Sequence, residues 1–153
     1  MLDLYEELKA LIRKLDGARV DYALCGALAL AVYGILRATV DMDVLIPAES
    51  LGEAKSLAGG LGYKVEADPM TFAGGAIEIR RLSKIDSEGG DLLTLDFLLV
   101  TPAIRHVWDT RHQLMWEGES LWVVSREGLI ALKSLRRSGQ DLDDIKRLRE
   151  GVK

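Results

Sequence analysis

The chain has 153 residues, 48% of them apolar, with 24 acidic against 20 basic side chains, two His and one Cys. A chain of that size buries a core without staples, and a single Cys excludes both a disulfide framework and a cysteine-rich zinc site. The net charge of −4 excludes a uniformly basic nucleic-acid binder and is too small to indicate an acidic tail or disorder.

The first residues, Met1-Leu2-Asp3-Leu4-Tyr5-Glu6-Glu7, lack the basic and apolar regions of a signal peptide. The longest uncharged stretch, residues 22–36, falls short of the about 20 apolar residues that span a bilayer. With no membrane segment and a cysteine content that fits a reducing compartment, the expected location is the cytoplasm. Leu4, Leu8, Leu11, Ile12 and Leu15 recur at helical spacing and Gly17 closes the pattern, which predicts an amphipathic first helix. Residues 20–25 read as a short buried strand, Gly26 breaks it, and the Ala- and Leu-rich residues 27–36 read as a buried helix. Residues 40–46 are apolar and β-branched apart from two Asp, and Pro47 ends this second strand. Ser50 is expected to cap a helix through Ala58, followed by a glycine turn at residues 59–62. Strands are expected over residues 63–66, 76–82 and 92–100, with turns at Gly74-Gly75 and residues 86–90. Pro102 opens a helix to about His112. Residues 114–116 and 121–124 flank a hairpin turn, Ser125 caps a helix over 127–137, and a last short helix covers 141–149. No repeat, low-complexity segment or linker interrupts the pattern, so the reading is one α+β domain over residues 1–153.

Two features carry chemistry together. A helix entered straight from a strand through Gly26 leaves backbone N–H groups free at its N-terminus, which favours an anion such as phosphate; alone, glycine at such a turn is explained equally by sterics. Asp41 and Asp43 lie in one strand. Side chains alternate along a strand, so the two carboxylates share a face, roughly 6.6 Å apart at Cα. Oxygen ligands so placed suit a shared Mg²⁺ or Mn²⁺. The plainer reading is two solvated side chains, which two Asp in an otherwise apolar run disfavour. Asp96 is the third carboxylate, in the apolar run 92–100. A lone ionised carboxylate there would carry a penalty of several kcal/mol. It must be protonated, ligate metal, or pair with a base such as Arg80 or Arg81.

Cys25-Gly26-Ala27, a short helix, then Gly34-x-x-Arg37-x-Thr39-x-Asp41-x-Asp43, with Asp96 on a later strand, resembles the active-site signature of the DNA polymerase beta-like nucleotidyltransferase superfamily. Within it the chain is most similar to the small nucleotidyltransferase-like proteins of toxin–antitoxin and abortive-infection systems. The likeness covers roughly residues 20–149 and includes Ser125-Arg126-Glu127-Gly128-Leu129, Ala131-Leu132-Lys133 and Asp141-Leu142-Asp143-Asp144-Ile145. The chain departs from the pattern at Ala27; Gly or Ser is usual there, and alanine offers only its backbone N–H.

The resemblance implies a mixed β-sheet flanked by helices, with C-terminal helices, and an enzyme that moves a nucleoside monophosphate from a nucleoside triphosphate to an acceptor hydroxyl. Asp41, Asp43 and Asp96 would be the catalytic, Mg²⁺-holding (or Mn²⁺-holding) residues. Gly26, Ala27 and Leu28 would cradle phosphates, and Arg37 and Lys133 would meet triphosphate charge. Thr39 would orient a carboxylate or cap the strand. The acceptor is an RNA end, a partner protein's hydroxyl, or a small molecule of aminoglycoside type; a partner chain, in a homo- or hetero-oligomer, could supply the acceptor region. The alternative is an antitoxin-like or regulatory binding protein on the same fold, with weak or no catalysis.

Other residues read more plainly. His106 and His112, six apart, do not form a one-face metal pair, and Cys25 reads as a packed thiol. Trp108, Trp116 and Trp122 read as core or interface anchors. Residues 126–153 carry a formal +3 and residues 1–125 carry −7, so the acidic total leaves a basic C-terminal segment able to face a triphosphate or RNA.

Overall fold

The computed structural model describes residues 3–36, 38–136 and 139–150. Helix α1 (Leu4–Gly17) forms on the predicted spacing and buries Leu8, Leu11, Ile12 and Leu15. Asp3 caps it, its Oδ1 accepting from the N–H groups of Tyr5 at 3.0 Å and Glu6 at 3.4 Å. Strand β1 (Ala23–Cys25) is shorter than the expected 20–25. Val20 and Tyr22 are buried without joining the ladder.

Helix α2 (Gly26–Val32) stops four residues before the expected end. The cause is Gly34, at φ +86°. The Ile35 N–H turns back to the Leu30 carbonyl at 2.9 Å and the Gly34 N–H to that of Ala31 at 3.0 Å, a glycine stop of the Schellman kind. Strand β2 (Asp41–Pro47) follows, and Thr39 fixes its entry. The Thr39 hydroxyl accepts from the Asp41 N–H at 3.0 Å. Helix α3 (Leu51–Gly60) is reached through a 3₁₀ turn, Ala48–Ser50, and Ser50 makes no side-chain cap bond, contrary to expectation.

Strands β3 (Val65–Glu66), β4 (Met70–Phe72), β5 (Ile77–Ile85) and β6 (Leu92–Val100) come next. β4 was not anticipated, and β5 runs three residues past the expected end. After Pro102 the chain forms a 3₁₀ turn and a short helix α4 (Arg105–Asp109), and His112 already belongs to the hairpin β7 (His112–Trp116) and β8 (Glu119–Val123). Helices α5 (Arg126–Arg136) and α6 (Gly139–Glu150) complete the order. Ser125 caps α5 as predicted, its Oγ accepting from the Gly128 N–H at 3.0 Å. Of the Trp residues, Trp108 is buried, and Arg111 stacks over its ring at 3.8 Å and over that of Trp122 at 4.9 Å.

Among the described residues, eight strands form one sheet in the order β3-β5-β6-β2-β1-β8-β7, with β4 also paired to β5. β2 runs parallel to β6 and β1 parallel to β8, while the other pairs are antiparallel. This is the expected mixed sheet flanked by helices, with two helices at the C-terminal end. Its centre is sealed by Leu24, Met42, Leu45, Ile46, Leu95 and Phe97, all fully buried. α5 packs against α4 and α6 and is tied to the end of α2. The Arg126 guanidinium donates to the Tyr33 carbonyl at 3.3 Å and lies 4.8 Å from the Tyr33 ring, and the Tyr33 hydroxyl donates to the Val124 carbonyl at 2.9 Å. No helix among the described residues is long and apolar enough to cross a membrane.

Candidate active site

The register of the four central strands sets the site. Cys25 on β1 stands opposite Asp43 on β2, Asp43 opposite Asp96 on β6, and Asp96 opposite Arg81 on β5. One rung of the sheet therefore reads Cys–Asp–Asp–Arg, and Asp41 lies two residues from Asp43 on the same face. The β2 alternation predicted from the sequence is observed, with Met42, Val44 and Ile46 buried and the two Asp half-buried.

A cavity of about 260 Å³ opens over this rung. Cys25, Gly26, Asp41, Asp43, Asp96 and Lys133 line it, together with Arg81. Five of the eight residues singled out from the sequence thus meet in one place. Ala27 and Leu28 continue into the first turn of α2, where Leu28 is buried, and neither is part of the cavity lining. Arg37 lies outside the described residues.

Gly26 allows the approach. Its φ is +68°, and a Cβ built on it would stand 2.1 Å from Asp43 Oδ2 and 2.7 Å from Asp43 Cβ. No side chain fits there, so the Asp43 carboxylate lies directly against the backbone at the start of α2. Beside it Cys25 is fully enclosed. Burial first, then Asp43 and Asp96, push its thiol well above its ordinary value, so it stays protonated at neutral pH and is no nucleophile.

Asp96 has the basic partner that its apolar strand requires. Arg81 donates from Nε to Oδ1 at 2.8 Å and from Nη2 to Oδ2 at 2.9 Å, a two-pronged pair. The Asp96 side chain is only 5% exposed and that of Arg81 is 41% exposed. Of the two arginines considered from the sequence, Arg81 is the partner, while Arg80 bonds Glu78 at 3.2 Å.

Lys133 reaches the cavity from α5 and is held by two buried carboxylates of α6, Asp144 at 2.9 Å and Asp141 at 3.4 Å. Both Asp belong to the 141–145 segment that carries the family resemblance, and their contact with Lys133 depends on how α6 folds back on α5. The remaining wall is apolar and was not foreseen. Ile77 and Ile79 share the Arg81 face of β5, Leu98 lies two residues beyond Asp96, and Met70 and Phe72 come from β4. The alternation Ile77-x-Ile79-x-Arg81 was the available signal.

Carboxylate oxygens suit Mg²⁺, and Asp41 and Asp43 offer them from one strand face into the cavity. Asp96 stands beside them, but Arg81 occupies both of its oxygens. Among the described residues no three His, Cys, Asp or Glu side chains are set to hold one ion. The Asp41–Asp43 pair fits such an ion; at Asp96 the ion competes with Arg81.

No protein-family model matches the sequence, and no curated protein sequence does either. Solved structures do match in shape. A candidate nucleotidyltransferase from Thermotoga maritima, 13% identical, superposes with a TM-score of 0.63 over 95% of this chain and 90% of its own. The antibiotic-resistance factor ANT(2'')-Ia in solution, 12% identical, gives 0.66 over 97% and 83%. The crystal structure of ANT(2'')-Ia with adenylyl-2''-tobramycin, 13% identical, gives 0.65 over 95% and 87%. The chain has the nucleotidyltransferase fold. On that fold the acidic rung, Gly26 and Lys133 converge on one cavity, and the fold alone is what identities this low establish.

Proposed function

We propose that the chain is a nucleotidyltransferase, moving a nucleoside monophosphate from a nucleoside triphosphate to an acceptor hydroxyl. The observation that carries this is the convergence of Asp41, Asp43 and Asp96 on a cavity against Gly26, on a fold shared with a protein bound to adenylyl-2''-tobramycin. In the transfer, the acceptor oxygen forms a bond to the α-phosphorus, the bond to the bridging oxygen of pyrophosphate breaks, and the hydroxyl proton leaves to solvent. Asp41 and Asp43 would hold Mg²⁺ or Mn²⁺. Such an ion, when bound, lowers the pKa of the acceptor hydroxyl and neutralises charge on the leaving group. Lys133 carries a positive charge at the cavity wall, fixed by Asp144 and Asp141, where it offsets the charge of a triphosphate. Gly26, which lines the cavity against Asp43, is the proposed phosphate contact, with Ala27 and Leu28 outside the lining.

The sequence resemblance supports a toxin–antitoxin or abortive-infection setting, with RNA or a partner protein as the proposed acceptor. A small molecule is the third acceptor class. One observation favours a second reading, a regulatory or antitoxin-like binding protein: Arg81 neutralises Asp96, the third carboxylate the chemistry calls for.

Transfer of label separates the two. The pure chain is incubated with α-labelled ATP, CTP, GTP or UTP, Mg²⁺, and total RNA, a co-expressed neighbouring protein or an aminoglycoside. Label on one acceptor, lost on chelation of Mg²⁺, is the expected result. No label on any acceptor, with a stably co-purifying partner, would replace the enzyme by the binding protein.

A further inference from the structure

Asp96 is asked to do two things that compete with each other. As a cation ligand it must turn an oxygen lone pair to the ion, and in the structure each oxygen already accepts from one cation, Arg81, at 2.8 and 2.9 Å. The pair is built into the sheet, since Arg81 and Asp96 are register partners across β5 and β6. It also answers a need of the fold. Asp96 lies between the fully buried Leu95 and Phe97, where an unpaired carboxylate is strongly disfavoured. The Arg81 side chain, by contrast, is 41% exposed and lines the cavity, so it can swing out while Asp96 cannot. The Arg81 guanidinium faces the same cavity as Asp41 and Asp43.

We propose that Arg81 is an internal counter-cation of the carboxylate cluster, with which a divalent ion competes for Asp96 in order to bind all three carboxylates. Three consequences follow from charge alone. A divalent ion by itself binds weakly, because it competes with a tethered positive charge. Removing Arg81 strengthens its binding. A triphosphate strengthens it too, because the displaced guanidinium then has a new anion to face. The inference rests on the nucleotidyl-transfer reading for the identity of the ion and of that anion.

The test is a titration of the full chain with Mn²⁺, followed by the electron paramagnetic resonance of the free ion, with and without a non-hydrolysable ATP analogue. Without nucleotide, Arg81→Ala is expected to bind Mn²⁺ about tenfold more tightly than wild type, and the gain is expected to vanish in Arg81→Ala/Asp96→Asn. Arg81→Lys, which keeps the charge but loses the fork, is expected to lie between wild type and Arg81→Ala. It carries the test should a thermal melt show Arg81→Ala unfolded. The analogue should tighten Mn²⁺ binding to wild type more than to Arg81→Ala. Mn²⁺ affinity unchanged or weakened in both folded variants would overturn the proposal; if those variants still bind the analogue, the nucleotidyl-transfer reading stands without it. Failure of wild type and variants alike to bind Mn²⁺ or the analogue would overturn both.

Discussion

Replacing Asp41 and Asp43 together by asparagine is expected to weaken Mg²⁺-dependent binding of a non-hydrolysable nucleoside triphosphate analogue at least about 100-fold, equivalent to about 2.7 kcal/mol. The two carboxylates project from one face of β2 into the cavity. A cation that brings a triphosphate into an acidic cavity depends on their charge: two neutral amides keep the shape but remove two negative charges and the hard oxygen donors that Mg²⁺ prefers. The fold should stand, because β2 is held by Met42, Val44, Leu45 and Ile46, all buried, and asparagine preserves volume. Calorimetric titration gives the binding loss, and a thermal melt within a few degrees of wild type shows that unfolding is not its cause. Binding unchanged in a folded double variant would remove these residues from the site.

The second large effect is expected at Gly26. Gly26→Ala places a methyl group 2.1 Å from Asp43 Oδ2, 2.6 Å from Cγ and 2.7 Å from Cβ, at a φ of +68°. The left-handed backbone costs about 1–2 kcal/mol for an L residue, and the overlap about 1–3 kcal/mol more. Asp43 cannot yield by rotation alone, since its Cβ is also in the way. Urea unfolding should therefore show a loss of about 2–5 kcal/mol. In an Asp43→Gly background the same substitution should cost only the backbone part, because the overlap is gone. Equal losses in both backgrounds would contradict the geometry.

How far the sequence reached can be judged from these residues. Long elements with strong pattern were legible: α1 from its leucine spacing, and β6, the expected 92–100, from an apolar run bounded by Gly90 and Pro102. Asp41 and Asp43 could be placed on a common face because alternation is a local property. β4 was missed because three residues between Pro69 and the Ala73–Gly75 turn are too few to show a period. The helix over 27–36 was drawn too long because its composition outweighed Gly34, whose positive φ ends it. The helix expected to reach His112 ends at Asp109 because the chain there enters a hairpin partnered by β8.

The fate of Asp96 shows the limit most clearly. The sequence requires that this carboxylate be protonated, paired or metal-bound, and names Arg80 and Arg81 as bases within reach. Only the β5–β6 register decides, by setting Arg81 opposite Asp96. Arg80, one residue away, takes the other face. Lys133 is similar: its place in the cavity follows from α5, while the two α6 carboxylates that hold it are a long-range fact.

The central claim is that this cavity takes a nucleoside triphosphate through a cation on Asp41 and Asp43. Crystals grown with Mn²⁺ and a non-hydrolysable ATP analogue, with data collected at the manganese edge, test it most directly. The account predicts an anomalous peak bonded to the Asp41 and Asp43 carboxylates, with the triphosphate running from it toward Gly26 and Lys133. Nucleotide bound elsewhere, or a cavity in which Asp41 and Asp43 meet no ion at saturating Mn²⁺ and analogue, would contradict it.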